Sequence, residues 1–511
     1  MMTKTARFSL RRICALTLFL LASIIAFGSW ALSSPVGSSP DEDFHLASIW
    51  CGSGERDGLC ELNEFNGPRL IPSSIEHTKC FAQKPEISGA CQGDAVTTPI
   101  TELTKSTRVN SGSQYPSGFY FWTSLLASEN LTSSVLLIRL VNSALFVVLS
   151  VTVWSLSPHS IRTGIAVGGV LSLVPLGMFF IPSANPTSWS IISAILLLPT
   201  IVSWFTATGW KAFGLAVLAI VISLIGMGAR GDSAIYSAIA CLAALVLMAR
   251  PSKSYLLRAI LPTAIIGIAL VSYFQSAQGS LALSGMTQDD LPEVPLSHLV
   301  FDNLLNLPEL LLGVFGVNFQ SSSFTGLGWL DTPMPAVVWA STLCSVFGIA
   351  IMALRRVDAR HALAITGAGI ALVTIPMVVL TQGRVPVGWQ VQPRYIMPLV
   401  VMALLVVLLP NVAQLNEPRV DLSVLQAGTV ALLLSLANSA SLFTNLQRYV
   451  APNSLNLNSN IEWWWDLAVQ PLTVFAVGSL AFATCVSMAL FSTRRGTRTA
   501  QNPTIQLKGA A

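Results

Sequence analysis

Runs of about 18 to 21 apolar residues recur from one end of this 511-residue chain to the other, each long enough to cross about 30 Å of hydrocarbon. With 53% hydrophobic residues, 10% charged ones and a mean hydropathy of +0.66, the chain is not a soluble globular protein. The expected fold class is an all-α polytopic membrane protein with about twelve transmembrane helices. The runs cover Ile13 to Leu32, Val135 to Trp154, Gly164 to Ile181, Trp189 to Ala207, Ala212 to Ala229 and Ser233 to Met248. The second half adds Leu256 to Gln275, Pro335 to Leu354, Ala362 to Leu380, Ile396 to Ala413, Ser423 to Phe443 and Leu472 to Phe491. The Gly-rich fifth and the short sixth fit the pattern least well.

Basic residues stay on the cytoplasmic side of short loops, so their distribution predicts orientation. Lys4, Arg7, Arg11 and Arg12 precede the first run. Alternate connections carry Arg162, then Lys211, then Arg250, Lys253 and Arg258, then Arg355, Arg356 and Arg360, and then Arg419. The tail adds Arg494, Arg495 and Arg498. All fall on one side if both termini are cytoplasmic. The net charge of +4 is therefore a topology signal, and no nucleic-acid partner is read from it. The first run is expected to be an uncleaved helix. Its apolar part exceeds a usual signal-peptide core, and no clean A-x-A site follows.

The predicted organisation is a cytoplasmic N-terminus and first helix over 1–33, and a first extracytoplasmic loop over 34–134. Helices two to seven then span 135–275, a second large outer loop 276–334, helices eight to twelve 335–492, and a cytoplasmic tail 493–511. A shorter outer connection from Thr444 to Gln470 contains Trp463, Trp464 and Trp465. The first loop holds Cys51, Cys60, Cys80 and Cys91, half of the eight cysteines. Four cysteines on an oxidising side allow three pairings, of which short closures favour Cys51 with Cys60 and Cys80 with Cys91. A zinc site would ordinarily show C-x₂₋₄-C spacing, which is absent here. Cys14, Cys241, Cys344 and Cys485 fall in the runs and are expected to be packing residues.

Directly after the first run comes Ser39-Pro40-Asp41-Glu42-Asp43-Phe44-His45. Ionisable groups are costly near hydrocarbon, so this cluster points to chemistry or binding at the membrane surface. Ser39 and Glu42 also fit a capping box with Pro40 at the first helical position, which leaves capping and function both open for Glu42. Asp41 is not required by such a box. On the helix expected here, Asp41 and His45 would share a face.

Four arginines break the basic pattern. Arg139 lies inside the second run, Arg230 in the turn Arg230-Gly231-Asp232, and Arg384 and Arg394 flank Gly388-Trp389-Gln390-Val391-Gln392-Pro393. An arginine at the outer interface needs a carboxylate or a lipid phosphate as partner. Arg230 and Asp232 could pair with each other, whereas the Arg394 fork suits phosphate. The stretch Tyr115-Pro116-Ser117-Gly118-Phe119-Tyr120-Phe121-Trp122 reads either as an aromatic belt or as a substrate-facing segment in the headgroup layer. Asn130-Leu131-Thr132 matches the N-glycosylation pattern, which has meaning only in a eukaryotic host.

An acidic pair in the first outer loop resembles the hallmark of the GT-C glycosyltransferases. More specifically, the chain resembles the bacterial membrane family known as domain of unknown function 2142. The similarity rests on Pro40 to His45, Tyr115 to Tyr120, Ile138-Arg139-Leu140-Val141-Asn142, Ile181-Pro182-Ser183-Ala184-Asn185-Pro186, and Gly388 to Pro398, in family order. Two departures are Asp43, where the family usually has proline, and Pro393, where it has glycine.

The resemblance implies a GT-C-like architecture in a bacterial plasma membrane. It also implies an enzyme that transfers sugar from a polyprenyl phosphate to a cell-envelope glycan acceptor. Such transfer needs a base for the acceptor hydroxyl, and partial desolvation would raise a carboxylate's pKa toward working pH. Asp41 is the first candidate and Glu42 the second, with Asp43 and His45 in support. The leaving phosphate needs a fixed cation, for which Arg394 is the candidate, helped by Arg139 and Arg230. Tyr115, Tyr120, Gln392 and Tyr395 would face substrate. Beyond the lipid-linked donor the sequence carries no sign of a cofactor, and it neither calls for nor excludes a divalent metal.

Two rival readings differ in class. A transporter or lipid flippase is also often of this size, but would show internal repeats and midplane charges. An O-antigen-type polymerase or ligase would need arginines and a histidine in a large late outer loop, where this chain has His298 and no arginine. Nothing resembles a nucleotide-binding motif.

Overall fold

The structure is a computed structural model that describes residues 4–62, 68–100, 102–277, 294–320, 325–389, 391–452, 454–458 and 461–492. Gln390 and the tail 493–511, with Arg494, Arg495 and Arg498, lie outside the described residues. In chain order the helices are α1 (Lys4–Leu32), α2 (Glu42–Trp50), α3 (Asp94–Thr97), α4 (Ser117–Ser124), α5 (Leu131–Leu156) and α6 (His159–Leu171). There follow α7 (Leu176–Phe180), α8 (Thr187–Trp204), α9 (Gly209–Ala229), α10 (Gly231–Leu247), α11 (Lys253–Gln275) and α12 (Leu296–Gly313). The last five are α13 (Ala336–Leu354), α14 (Ala359–Gln382), α15 (Pro393–Leu408), α16 (Val424–Val450) and α17 (Pro471–Ser492).

Among the described residues nine helices are long and apolar enough to cross a membrane. The sixth and tenth expected runs form the shorter apolar helices α10 and α15, of 17 and 16 residues. The third expected run is not one helix. It breaks into α6 and α7 at Ser172 to Pro175, because Pro175 cannot donate to the ladder and restricts the residue before it. The second large connection also differs from a plain loop, since it contains α12. Charges at Asp302 and Glu309 lower its hydropathy, yet Leu296, Phe301, Leu304 and Leu305 are exposed along it.

At the centre stands α8, buried along almost its whole length and packed against α5, α6, α9, α10 and α15. Outside it, α1 packs on α5 and α17, α16 on α13 and α17, and α10 on α11 and α14. Without a hydrophobic drive between helices in lipid, close packing of small residues does much of the joining. A Cβ on Gly478 of α17 would stand 2.5 Å from the Ser29 Cβ of α1, and one on Gly226 of α9 would stand 2.8 Å from the Ser193 Cβ of α8. Cys241 is buried as expected of a packing residue, and Cys485 is half-buried, but Cys14 and Cys344 are exposed on the apolar outside of the bundle.

The first connection folds on top of one end of this bundle. Strands β1 (Glu61–Leu62), β2 (Arg69–Pro72) and β3 (Leu103–Ser106) form an antiparallel sheet in that order, with Leu70 opposite Glu61 and Lys105. The two disulfides are Cys51–Cys60 and Cys80–Cys91, the pairing that short closures favoured. Arg448 at the end of α16 donates to the carbonyls of Phe81, Lys84 and Ile87, and pairs with the buried Asp331 at 2.9 Å. Trp329 donates to the Gly37 carbonyl, and Trp465 to that of Leu32. All three outer connections thereby dock on the exit of α1.

At the other end, Val412 N–H donates to the Leu247 carbonyl, Arg360 to that of Ala249, and Arg419 to that of Arg356. The connections after α10, α13 and α15 are thus gathered on one face, as the distribution of basic residues predicts.

Gly478→Ala and Gly428→Ala should have opposite effects on unfolding temperature in detergent. The Gly428 site is open, so alanine there should be neutral or stabilising through helix propensity. Alanine at Gly478 must push α1 and α17 apart, at a cost of about 1–3 kcal/mol.

Candidate functional site

Six short stretches that are distant in sequence meet where α1 leaves the bundle. Arg139 of α5 is the first link. Because α5 begins at Leu131, Arg139 lies about 12 Å into it at 1.5 Å per residue, deeper than the apolar run suggests. Its Nη1 donates to the carbonyls of Ala31 and Ser34 at 2.9 and 2.7 Å, and its Nη2 to that of Pro35 at 2.8 Å. The Glu42 carboxylate stands 3.5 Å away, and both side chains are buried. A helix C-terminus presents unpaired carbonyls and a partial negative charge, which this guanidinium neutralises. The Nη donors of Arg139, a candidate phosphate ligand, are thus bonded to the last turn of α1 and the two residues Ser34 and Pro35 beyond it.

Glu42, the candidate second base, is similarly engaged. It is completely buried, and its Oε2 accepts the Ser39 N–H at 2.8 Å. That is one half of the capping box. The helix itself begins at Glu42 rather than Pro40, with Asp41 as its N-cap. Asp41 has φ 60° and ψ 17°, a left-handed conformation that Asp tolerates better than most residues, and its side chain caps nothing. Asp41 thus sits outside the helix, and the shared helical face with His45 does not form.

What the Asp41 side chain does instead is meet Arg394. Arg394 Nη2 donates to Asp41 Oδ2 at 2.8 Å and to the Tyr395 hydroxyl at 2.9 Å, while Nη1 donates to the Pro40 carbonyl at 2.9 Å. Asn185 Nδ2 donates to the same Pro40 carbonyl at 3.0 Å. The break between α6 and α7 lets the 181–186 segment reach the acidic turn, and Asn142 of α5 holds it by donating to the Ser183 carbonyl. Arg230 approaches from the α9–α10 junction, paired with Asp232 at 2.6 Å. The Tyr395 ring lies 4.6 Å from the Arg230 guanidinium and 4.8 Å from that of Arg394, both cation–π contacts. Two cations, each paired with its own carboxylate, and a phenol therefore share one small region.

The aromatic stretch divides by face. Phe119 and Tyr120 are buried, whereas Phe121 and Trp122 are exposed. A Cβ on Gly118 would lie 2.8 Å from the Gly228 carbonyl oxygen, so glycine there lets α4 cross α9 closely. Tyr120 hydroxyl and His45 Nδ1 are 2.9 Å apart, and the Tyr115 ring packs edge-on at 5.2 Å from that of His45. His45 is thus bonded to Tyr120 rather than to a carboxylate. Gln392 caps the start of α15 only through its backbone, and its Oε1 is buried with no hydrogen-bond partner among the described residues.

The electrostatics follow from these contacts. Burial acts to raise the Asp41 carboxyl, but Arg394, with Arg108, outweighs it and holds the group below the usual carboxylate value. This corrects the expectation that desolvation would raise it. Burial likewise acts on Asp43, and hydrogen bonds from Arg108 and Lys79 at 2.8 and 2.9 Å overcome it, so Asp43 too is depressed. Burial pushes His45 down to about 3, leaving a neutral imidazole, and pushes the Tyr115 phenol up to about 12. Among the described residues no group of three or more His, Cys, Asp or Glu side chains is placed to hold a metal ion.

Several residues had no signal in the sequence. Arg108 binds Asp43 through two nitrogens, and Arg448 clamps the second disulfide loop. Asn303 of α12, also buried, bonds the Val385 carbonyl and the Val387 N–H, steadying the segment that leads to Arg394. Asn142, Asn185 and Asn303 look alike in sequence to any polar residue near a span. Buried amides that bond backbone at both ends, as Asn185 and Asn303 do, or a backbone carbonyl and the Trp189 indole, as Asn142 does, are visible only in three dimensions.

Asp43 generates a test with a definite sign. Its depressed carboxyl contributes stability above its ordinary value of about 4, lost as pH falls through the lower folded value. Asp43→Asn should therefore cost about 1–2 kcal/mol near neutral pH, at the low end because Arg108 and Lys79 remain half exposed. The difference from wild type, followed by thermal unfolding between pH 7 and 3, should shrink as pH drops.

No curated protein and no solved structure matches the chain. A family model described as "Predicted membrane protein (DUF2142)" matches residues 24–403, which enclose the exit of α1, the acidic turn and Arg394, and the chain belongs to that family.

Proposed function

We propose that this protein is a GT-C-like membrane glycosyltransferase that moves a sugar from a polyprenyl phosphate to an extracytoplasmic envelope acceptor. The observation that carries this reading is the Asp41–Arg394 pair, with Arg230 against the same tyrosine ring, at one end of an apolar bundle. A carboxylate beside two guanidiniums is the chemistry needed by a base next to a leaving phosphate. The working face is taken to be outside the cytoplasm and both termini inside, in a bacterial plasma membrane. Two disulfides on that face and basic connections on the other support this orientation.

In the proposed reaction the donor phosphate takes Arg394 Nη2 from Asp41. The freed carboxylate loses its closest cation, keeps only Arg108 at 3.8 Å and gains an anionic neighbour, so its pKa rises on donor binding. Asp41 then removes the proton from the acceptor hydroxyl as that oxygen bonds to the sugar's anomeric carbon. The bond from this carbon to the phosphate oxygen breaks, and the lipid phosphate leaves with its electron pair, held by Arg394 and Arg230. In this reading Tyr115, Gln392 and Tyr395 would face the substrate, with the buried Tyr120, bonded to His45, supporting them. A transporter is the second reading, favoured by the broken α6–α7 element. The placement of Asp41, Arg230 and Arg394 at the helix ends speaks for chemistry instead.

Asp41→Asn should keep the fold and lower turnover by about 10²–10⁴-fold, the range for loss of a general base. Arg394→Lys should weaken photo-crosslinking to a polyprenyl-phosphate analogue, and Arg394→Ala should abolish it. Unchanged labelling of Arg394→Ala would reduce this arginine to an anchor, and absence of labelling in wild type would favour transport.

The pH profiles should also separate. With free Asp41 depressed, kcat/KM should fall only below about pH 4, whereas kcat should fall at higher pH because the donor complex has lost the Arg394 pairing. Coincident acid limbs would sink the proposed exchange of partners.

A further inference from the structure

The opposite end of α9 carries a second polar feature. A cavity of about 280 Å³ opens between the starts of α9 and α11 and the end of α10. Thr206, Thr208, Arg250, Ser254 and Arg258 line it, over an apolar floor that includes Met248. The 21 residues of α9 separate Thr208 from Arg230, about 30 Å at 1.5 Å per residue, so this cavity is distinct from the Asp41 site.

Its chemistry calls for an anion. Among the described residues no ion pair involves Arg250 or Arg258, and the two cations repel each other across the cavity. Arg258 is held in place: it donates to the Trp204 carbonyl, its own carbonyl accepts the Trp204 indole N–H at 3.0 Å, and its guanidinium lies 5.3 Å from that ring. Thr208 is the N-cap of α9, yet its hydroxyl makes no capping bond, and the positive end of the helix faces the same region.

The surroundings say which anion. Trp210 and Phe213 in the first turns of α9 are 71% and 73% exposed, and Leu256 and Leu257 at the start of α11 are 66% and 68% exposed. The cavity therefore adjoins surface suited to acyl chains, while its interior suits a phosphate. We infer that it binds the phosphate of an anionic phospholipid in the leaflet opposite the candidate site, through Arg250 and Arg258 with the hydroxyls of Thr206, Thr208 and Ser254. Basic pockets between membrane helices recognise headgroups by this combination of charge and adjoining hydrocarbon.

The test uses the full chain in neutral detergent and a fluorescent phosphatidylglycerol. Wild type should bind it saturably, and Arg250→Gln and Arg258→Gln should each weaken binding by on the order of tenfold, as expected for loss of a charged contact. Arg258→Lys should keep most of the affinity. Lys211→Gln and Arg355→Gln, which remove exposed charges from the same end of the bundle, should change it less than about twofold. Arg250 is exposed, and among the described residues no side-chain hydrogen bond of the fold depends on it, so its variant stays informative if Arg258→Gln fails to fold. Equal losses for the control variants would overturn the site in favour of diffuse surface charge. Equal binding of a phosphatidylcholine probe, or displacement by inorganic phosphate as effective as by unlabelled phosphatidylglycerol, would overturn the anionic-lipid assignment.

Discussion

A guanidinium buried between two helices organises one end of this protein. Arg139 has almost no exposure, and an arginine cannot shed its charge to enter such a place, so it must find acceptors. It finds them in the Ala31 carbonyl at the end of α1, in the Ser34 and Pro35 carbonyls just beyond it, and in the carboxylate of Glu42. The consequence is geometric. The chain from Ala31 to Glu42 is tied to α5 at several points, so the turn at Pro40 and Asp41 has a defined position. Breaking the pair would leave Glu42 buried without its cation, a large loss by comparison with any surface ion pair.

On that fixed turn the other elements converge through backbone carbonyls. The Pro40 carbonyl accepts from both Arg394 and Asn185, two residues that are brought there by a short helix start and by the break in the third apolar run. The left-handed backbone at Asp41 then aims its carboxylate at Arg394 instead of capping α2. Of the three acidic residues in the motif, each has a different principal partner and a different consequence, although Arg108 lies near both Asp41 and Asp43. Glu42 secures α1, Asp43 secures the sheet-bearing loop through Arg108 and Lys79, and Asp41 alone meets the arginine at the head of α15.

The two ends of the bundle also differ in kind. One is covered by disulfide-bonded chain that docks through Arg448, Trp329 and Trp465, and the other is made of short connections joined by basic side chains and carbonyls. The first arrangement suits a surface that works outside the membrane, and the second suits contact with lipid headgroups.

Much of the fold was legible from composition, because hydrocarbon thickness sets a length that apolar runs must meet. That argument identified the bundle, the distribution of basic residues grouped the connections on one face, and loop-closure length favoured the disulfide pairs that form. Hydropathy could not reveal that the run after Gly164 breaks at Ser172 to Pro175, since a buried turn and a buried helix are equally apolar. It also hid α12, whose charges dilute an otherwise apolar face. The acidic motif and the outlying arginines were visible as costly residues in an apolar chain, and that cost alone marked them as partners of something. Arg230 and Asp232, two positions apart, pair as their spacing allowed, but the partners of Arg139 and Arg394 were decided only by tertiary structure. Arg139 lies 97 positions from Glu42, and Arg394 lies 353 from Asp41, so no local rule relates them. The direction of the Asp41 pKa was likewise open to packing, because burial and a neighbouring guanidinium push it opposite ways and only their distance settles which prevails.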